Sequence, residues 1–139
     1  MNQEAIFAPM GAMALLTFCV LLLVPIARFR AVFAGLLTPD DFRLGESPDV
    51  PASVSLPNRN YMNLLELPTL FFPICLMFYV AHRVNAAAID VAWGFVALRL
   101  VHSIIHVSYN DVRHRLVAFT LSNGALGALW VMFFVQRGA

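Results

Sequence analysis

The most regular feature of the chain is the alternation of long apolar stretches with short polar ones. Four apolar stretches are long enough for a helix to cross the hydrocarbon core of a bilayer, which takes about 20 residues. They lie at about 6–27, 61–81, 88–109 and 116–135. The stretch 28–60 holds four of the eight prolines and four of the eight acidic residues, which predicts an exposed loop. The other connections are short, so consecutive helices should pack as antiparallel neighbours. The pattern predicts one all-α domain, an integral membrane four-helix antiparallel bundle.

Composition supports a lipid-facing surface. Of the 139 residues, 60% are hydrophobic and 12% are charged, whereas soluble domains have about 45–50% and about 25%. The net charge is +1, and no basic run points to nucleic acid. Cys19 and Cys75 lie in apolar stretches, where they are expected to be buried packing residues. The N-terminus has no positive charges ahead of its apolar stretch, so we expect the first span to be retained.

Arginine counts beside the spans predict the orientation, because cytoplasmic loops carry the excess of positive charge. One side has six arginines and the other has two. The six are Arg28, Arg30, Arg43, Arg59, Arg113 and Arg115, and the two are Arg83 and Arg137. We therefore expect both termini outside and loops one and three in the cytoplasm, in the inner or cytoplasmic membrane if the host is bacterial.

The second span carries polar residues where apolar ones are expected. Arg59, Asn63 and Glu66 recur at helical spacing and form one stripe, which starts at the cytoplasmic edge. A charge deep in a span costs about 3 kcal/mol or more, so such residues usually face a bundle interior or a wet cavity. Pro68 follows the stripe and frees the carbonyl of Leu64, so we expect the helix to bend there.

The third span has a matching stripe. Arg99, His102 and His106 recur at three and four residues, and polar positions continue through Tyr109 to Arg113. This stripe should end at the same leaflet as the first. The two histidines also have the spacing of a zinc pair, but no third ligand is plainly placed, and we predict no metal site.

Simpler interpretations apply to several of these residues. Arg59, Arg113 and Arg115 could be interfacial anchors whose long stems reach the lipid headgroups. Glu66 and Arg99 could form a purely structural buried pair. In the fourth span, a group of small and polar residues is expected to provide close helix packing and an interhelical hydrogen bond instead of a site. This group comprises Ser122, Asn123, Gly124 and Ala128.

These residues resemble the MAPEG family, the membrane-associated proteins of eicosanoid and glutathione metabolism. The family's second-helix signature, Arg-x-x-x-Asn-x-x-Glu, is similar to Arg59, Asn63 and Glu66. Two further features resemble those of the family. They are the basic residues at the end of the first helix, Arg28-Phe29-Arg30, and the pair Arg99 and His102 in the third helix. Counting onward without gaps, Arg115 takes the place of the arginine thought to activate the thiol of glutathione.

The resemblance implies a homotrimer in a lipid bilayer with glutathione as co-substrate, bound in a cleft between protomers that opens to the cytoplasm. It implies a transferase or peroxidase acting on lipophilic electrophiles, with Arg115, or alternatively Arg113, as the catalytic residue. The residues implied to bind glutathione are Arg28, Arg30, Arg59, Asn63, Glu66, Arg99, His102, His106 and Tyr109.

Departures from the family pattern keep other functions open. His106 stands where family enzymes often have tyrosine, and Leu116 where they have serine. Tyr61 replaces a common histidine or glutamine. These differences favour a non-catalytic membrane scaffold or lipid-presenting protein as the alternative. A small proton-coupled multidrug transporter is a more remote one, because its essential carboxylate lies in the first helix, where this chain has only Glu4.

Overall fold

The computed structural model describes residues 2–43, 45 and 47–136, and these are almost entirely helical. The α-helices are α1 (Phe7–Phe33), α2 (Ala52–Leu64), α3 (Phe71–Val80), α4 (Ala86–Val107) and α5 (Val112–Val135). Short 3-10 helices lie at Gln3–Ile6, Pro39–Phe42 and Leu67–Leu70. Arg137, one of the arginines used to predict the orientation, lies outside the described residues.

Four helical segments are long and apolar enough to cross a membrane. They are Gln3–Phe33, Ala52–Val80, Ala86–Val107 and Val112–Val135. The second of them combines α2 and α3. Helix α4 packs most extensively against α5 and also contacts α1 and α2, while α1 packs mainly against α2. The all-α membrane bundle predicted from the apolar stretches is confirmed, and α4 lies at its centre.

The first helix continues beyond its predicted end at residue 27. Helix α1 runs through Arg28 and Arg30 to Phe33, because arginine is a good helix former and its long side chain can reach the lipid headgroups. The helix ends where Gly35 adopts a positive φ of 71°. The main-chain N–H of Leu36 then bonds back to the carbonyl of Ala31 at 3.0 Å, a bond that closes helices at such glycines.

The second helix begins earlier than predicted, so the loop prediction for 28–60 is wrong at both ends. Helix α2 starts at Ala52 after Pro51, whose φ of −58° suits a helix start. Val54 packs in a small apolar cluster with Ala31, Leu37 and Val50. This cluster holds the start of α2 against the end of α1. The proline and acidic-residue content therefore overestimated the length of the loop.

The predicted bend in the second span is a complete break of the α-helix. Helix α2 ends at Leu64, and Glu66 has a non-helical backbone with φ −85° and ψ −117°. Pro68 has no N–H to offer the Leu64 carbonyl, so one bond of the α-helical ladder is lost there. The chain resumes as a 3-10 helix, in which Thr69 donates its main-chain N–H to the carbonyl of Glu66 at 3.0 Å. Glu66 is exposed at this break.

A short turn joins α4 to α5 and fixes where the last helix starts. Asp111 accepts hydrogen bonds from the main-chain N–H groups of Arg113 and His114, at 2.9 and 3.0 Å, and so caps α5. Donation from His114, helped by that from Arg113, lowers the pKa of the Asp111 carboxyl. Helix α5 therefore begins at Val112, four residues before the predicted 116. Both candidate catalytic arginines lie in its first turn. Helix α4 is capped in the same way, since Oδ1 of Asn85 accepts from the main-chain N–H of Ala88 at 2.9 Å.

Aromatic pairs join the spans within the buried core, which also contains many aliphatic side chains. Phe71 of α3 stacks on Phe95 of α4 with ring centroids 4.6 Å apart, and Phe78 meets the edge of Phe133 at 5.3 Å. Cys75 is a free, buried thiol, as predicted for a packing residue, whereas Cys19 is free but exposed, contrary to the prediction. Many other large apolar side chains are exposed along all four spans, which suits contact with lipid or with other membrane helices.

Candidate functional site

Arg59 and Asn63 of α2 line one cavity, which lies at the end of the bundle that holds the α4–α5 turn. Arg59 and Asn63 are four residues apart, so they share a helix face. The cavity has a volume of about 260 Å³. It is lined by Arg59, Asn63, His102, His106, Val112, Arg115, Leu116 and Phe119. Three separate helices therefore converge on it, and five of the residues predicted for a site line it.

Arg99 lies behind Asn63 and is 0% exposed. Its Nη1 donates to Oδ1 of Asn63 at 2.9 Å, and its Nη2 donates to Oδ1 of Asn123 at 2.7 Å. Its Cζ lies 5.6 Å from the ring centroid of Phe95 and 5.1 Å from that of Phe119. Burying a charge is very costly unless its hydrogen bonds are made. Two amide acceptors and two ring faces offset part of that cost here, while Nε is buried with no hydrogen-bond partner among the described residues. The bond to Asn63 ties Arg99 to the cavity wall.

Asn123 was predicted to serve helix packing through an interhelical hydrogen bond. The structure has that bond, but its donor is the buried cation of the candidate site. A sequence signal for this pairing exists. Arg99 lies twelve residues before Asp111 and Asn123 twelve residues after it, and antiparallel helices joined by a short turn bring such positions together.

His102 is held by the main chain of Arg115. Its Nδ1 lies 3.1 Å from the Arg115 carbonyl oxygen, and because a carbonyl only accepts, this nitrogen carries the proton. The other nitrogen, Nε2, is then an acceptor, and it is buried with no hydrogen-bond partner among the described residues. The ring of His106 lies 5.8 Å away, and its Nδ1 is likewise buried and unpartnered in the described chain. Both rings thus keep unused hydrogen-bonding capacity beside the cavity.

The structure distinguishes the two candidate catalytic arginines. Arg115 is half-buried and lines the cavity, whereas Arg113 is exposed and is not among the lining residues. The guanidinium of Arg115 donates from Nη1 to Oδ1 of Asn110 at 2.6 Å. Asn110 was not predicted as a site residue. The structure brings Arg115, not Arg113, together with Arg59 and Asn63.

Two predicted binding residues from the middle of the chain lie apart from the cavity. Glu66 is exposed at the helix break and is absent from the cavity lining, because the break ends the helical face that Arg59 and Asn63 share. Tyr109 is 61% exposed, and its hydroxyl lies 3.1 Å from Nδ1 of His114. It lies in the turn beyond the last residue of α4 and points to His114 instead of to the cavity.

The two arginines near the end of α1, Arg28 and Arg30, also lie outside the cavity of the single chain. Arg28 lies with its Cζ 4.7 Å from the ring centroid of Phe42, beside an apolar hollow of about 370 Å³. Arg30 is exposed and lines a different hollow of about 300 Å³. Neither belongs to the cavity that contains Arg59.

The polar lining of the cavity is suited to an anion. It offers two guanidinium groups, two imidazoles and one amide, and no carboxylate is among the lining residues. Since Oδ1 of Asn63 already accepts from Arg99, its amide N–H₂ is the group left to donate to a ligand. Val112, Leu116 and Phe119 form an apolar wall beside these donors. Among the described residues, no group of three or more His, Cys, Asp or Glu side chains could hold a metal ion.

Comparison with known proteins gives one match. The sequence model of the MAPEG family matches residues 6–135, which is nearly the whole chain. No curated protein and no solved structure shows a significant match. The match covers every residue of the cavity described above.

Proposed function

Because the chain belongs to the MAPEG family, we propose that it is a membrane-embedded glutathione transferase acting on lipophilic electrophiles. Membership and four membrane-length helices make it an integral multi-pass membrane protein of the glutathione and eicosanoid metabolism family. The observation that carries the reaction proposal is the cavity of about 260 Å³, which combines arginines from two helices with an apolar wall. The excess of arginines on the same side of the membrane supports a cytoplasmic opening.

Glutathione has two carboxylates, an ammonium, two peptide groups and a thiol. A guanidinium binds a carboxylate through two parallel hydrogen bonds, so Arg59, at the exposed rim, is the proposed carboxylate anchor. The free amide N–H₂ of Asn63 is suited to a peptide carbonyl or the same carboxylate. The unpartnered nitrogen of His102 offers an acceptor for a peptide N–H. In this arrangement the thiol lies towards Arg115.

Arg115 would favour the thiolate. A free thiol has a pKa of about 8.5 and is only a few per cent ionised at neutral pH. Opposite unit charges 4 Å apart attract by about 4 kcal/mol at an effective dielectric constant of about 20, and a pKa change of one corresponds to about 1.4 kcal/mol. Even half of that attraction brings the thiol pKa below 7.5. The proton leaves to solvent, the sulfur forms a bond to the electrophilic carbon, and the leaving group departs with its electron pair.

The second substrate is proposed to reach the sulfur from the bilayer. Val112, Leu116 and Phe119 recur along one face of α5 at spacings of four and three residues, on either side of Arg115. Val112 and Leu116 are largely exposed on the outer surface of the single chain. An apolar molecule dissolved in lipid can therefore approach the cavity along α5 without crossing water.

Assembly of several copies is supported by the residues that lie outside the cavity. Glu66 is exposed within the second span, where a lipid-facing carboxylate is costly. Arg28 and Arg30 are at the α1 end, away from Arg59. We propose the homotrimer that the family resemblance implies, in which Glu66 binds the ammonium of glutathione and a neighbour supplies Arg28 or Arg30.

One observation favours the non-catalytic alternative. Leu116 lines the cavity next to Arg115, where family enzymes have a serine, so no hydroxyl can orient the sulfur from that position. A protein that binds a lipid or glutathione without turnover would keep the same cavity.

Binding and turnover by the purified protein test the proposal. Calorimetry with glutathione should give saturable binding, and Arg59→Leu should weaken it at least about fivefold, the loss of a charge-assisted hydrogen bond of about 1 kcal/mol or more. Arg43→Leu is the matched control, since Arg43 is an exposed arginine that is predicted to lie on the same side of the membrane as Arg59 but does not line the cavity. Glutathione binding without conjugation of a generic aromatic electrophile would favour the scaffold. Equal affinities for wild type and Arg59→Leu would contradict the proposed site.

A further inference from the structure

The side chain of Asn110 accepts a hydrogen bond from the guanidinium of Arg115. Its Oδ1 accepts from Nη1 at 2.6 Å, a short distance for such a bond. A guanidinium has five N–H donors in a fixed plane, so a single bond at one corner restricts the direction of the other four. Arg115 is half-buried and lines the cavity. The remaining donors are thereby held near the space that a ligand would occupy.

The backbone of Asn110 explains how its side chain reaches Arg115. Asn110 has a positive φ of 49°, a left-handed conformation that asparagine tolerates better than most residues. Its main-chain N–H donates to the carbonyl of Ile105 at 2.8 Å, which closes the end of α4. The chain turns there, and Asp111 then caps α5. The turn thus presents the Asn110 side chain to the arginine five residues later.

The main chain of Arg115 is held at the same time. Its carbonyl accepts from Nδ1 of His102 at 3.1 Å, and its N–H donates to the carbonyl of Asp111 at 3.0 Å. The backbone is therefore fixed by α4 and by the helix start, while the end of the long side chain is fixed by Asn110. An arginine has several rotatable bonds, and holding it in one place removes freedom that would otherwise be lost on ligand binding.

We infer that Asn110 is a positioning residue that holds the Arg115 guanidinium at the cavity and so sets the ionisation of a bound thiol. The consequence for the thiol rests on the proposed function, whereas the positioning itself does not. Asn110 is neutral, so it orients the cation without cancelling its charge. A carboxylate at 110 would hold Arg115 equally well but would offset its field.

Two substitutions separate the side chain from the backbone. Asn110→Gly keeps the left-handed turn, because glycine adopts positive φ freely, but removes the acceptor. Asn110→Asp keeps an acceptor and adds a negative charge. His82→Gly is the matched control, since His82 is exposed, has φ 55° and lies in the α3–α4 connection. It removes a side chain from the same backbone conformation away from the cavity.

The first measurement needs no glutathione. The full-length protein is treated with phenylglyoxal, an arginine reagent, and the modification rate of Arg115 is divided by that of exposed Arg113 in the same peptide digest. We expect Asn110→Gly to raise this ratio several-fold by releasing the guanidinium, and Asn110→Asp and His82→Gly to leave it near the wild-type value. An unchanged ratio in Asn110→Gly would overturn the inference.

The second measurement follows the thiol. In Asn110→Gly the ultraviolet thiolate signal of bound glutathione should titrate at higher pH than in wild type, and turnover should fall about ten- to a hundredfold, the scale of a misplaced catalytic group. Asn110→Asp should lose thiolate signal although its Arg115 reactivity is unchanged. The double variant Asn110→Gly/Arg115→Leu should be no worse than Arg115→Leu, because Asn110 acts through Arg115.

The two measurements fail in different ways. Suppose that Arg115 reacts faster in Asn110→Gly, but wild type neither ionises nor turns over glutathione. The positioning role of Asn110 would then stand, and the proposed function would be refuted. If wild type is active, and Asn110→Gly is equally active and ionises bound glutathione equally well, the proposed function would stand and the role of Asn110 would be refuted.

Discussion

Replacing Asn123 by leucine removes one of the two amide acceptors of a fully buried cation. The lost bond joins Nη2 of Arg99 to Oδ1 of Asn123 at 2.7 Å. Leucine has a similar volume but no acceptor, so the Arg99 donor is left without this partner at a position that is 0% exposed. We expect the variant to be less stable than wild type.

The size of the loss follows from two reference values. A hydrogen bond to a charged group in a soluble protein contributes about 1.5–3 kcal/mol. Interhelical bonds in membrane proteins contribute about 0.6 kcal/mol on average and up to about 1.7 kcal/mol, because the unfolded helices find other partners in the membrane. The Arg99 bond involves a charge at a central helix, so we expect a value near the upper membrane limit, about 1.5 kcal/mol.

The assay is reversible unfolding of the purified protein in mixed micelles of increasing denaturing detergent. Ser122→Ala is the matched control, since Ser122 is the preceding residue of α5 and its hydroxyl donates to the Phe119 carbonyl of its own helix at 2.8 Å. We expect only about 0.5 kcal/mol for that change, because the bond joins two neutral groups. The double variant Arg99→Leu/Asn123→Leu should regain part of the loss, because no charge is then left buried. If Asn123→Leu is as stable as Ser122→Ala, the reasoning about the buried Arg99 is refuted.

Three further predictions concern the ligand amide, the helix cap and the orientation. Asn63→Leu should weaken glutathione binding by calorimetry more than Tyr61→Phe does, because only Asn63 lines the cavity; equal effects would contradict the proposed role of its amide. Since the pKa of Asp111 is lowered in the folded chain, its contribution to stability should be present above its ordinary pKa of about 4 and should disappear as pH falls through the lowered value. Detergent unfolding against pH should therefore show a stability difference between wild type and Asp111→Ala at neutral pH that vanishes in acid; a difference independent of pH would contradict the cap. Single cysteines replacing Asp49 and Ala81, in a background without Cys19 and Cys75, should react with impermeant reagents from opposite sides of the membrane, with position 49 cytoplasmic; labelling of 49 from outside intact cells would reverse the orientation.

The four spans could be predicted because lipid demands about 20 apolar residues per crossing. Their ends could not be predicted as well. The charges of Arg28 and Arg30 indicated the end of the first helix, but arginine has a good helix propensity and the helix continues through both. Pro51 was assigned to the loop, whereas it marks the start of α2. The break at Glu66 depends on backbone angles that Pro68 permits but does not dictate.

The candidate site was predictable where helical spacing decides it. Arg59 with Asn63, and His102 with His106, are each one turn apart and therefore share a face. Arg115 could not be separated from Arg113 until the start of α5 was known, and that start depends on the Asp111 cap. Asn110 continues the polar stripe of the third span, but its contact with Arg115 depends on a left-handed backbone in a turn, which spacing does not predict. The pairing of Asn123 with Arg99 could be predicted, because the two residues are equally far in sequence from the turn that joins α4 and α5.

The most direct test of the central claim is the ionisation of glutathione bound to the protein at neutral pH. The ultraviolet difference spectrum of the complex should show a thiolate band in wild type, titrating well below the pKa of about 8.5 of a free thiol. Arg115→Leu should lose the band and nearly all turnover while keeping most of its affinity, the pattern of a group that acts mainly in the transition state. Arg113→Leu should keep both. Glutathione bound wholly as the thiol in wild type, or a band that persists in Arg115→Leu, would contradict the account.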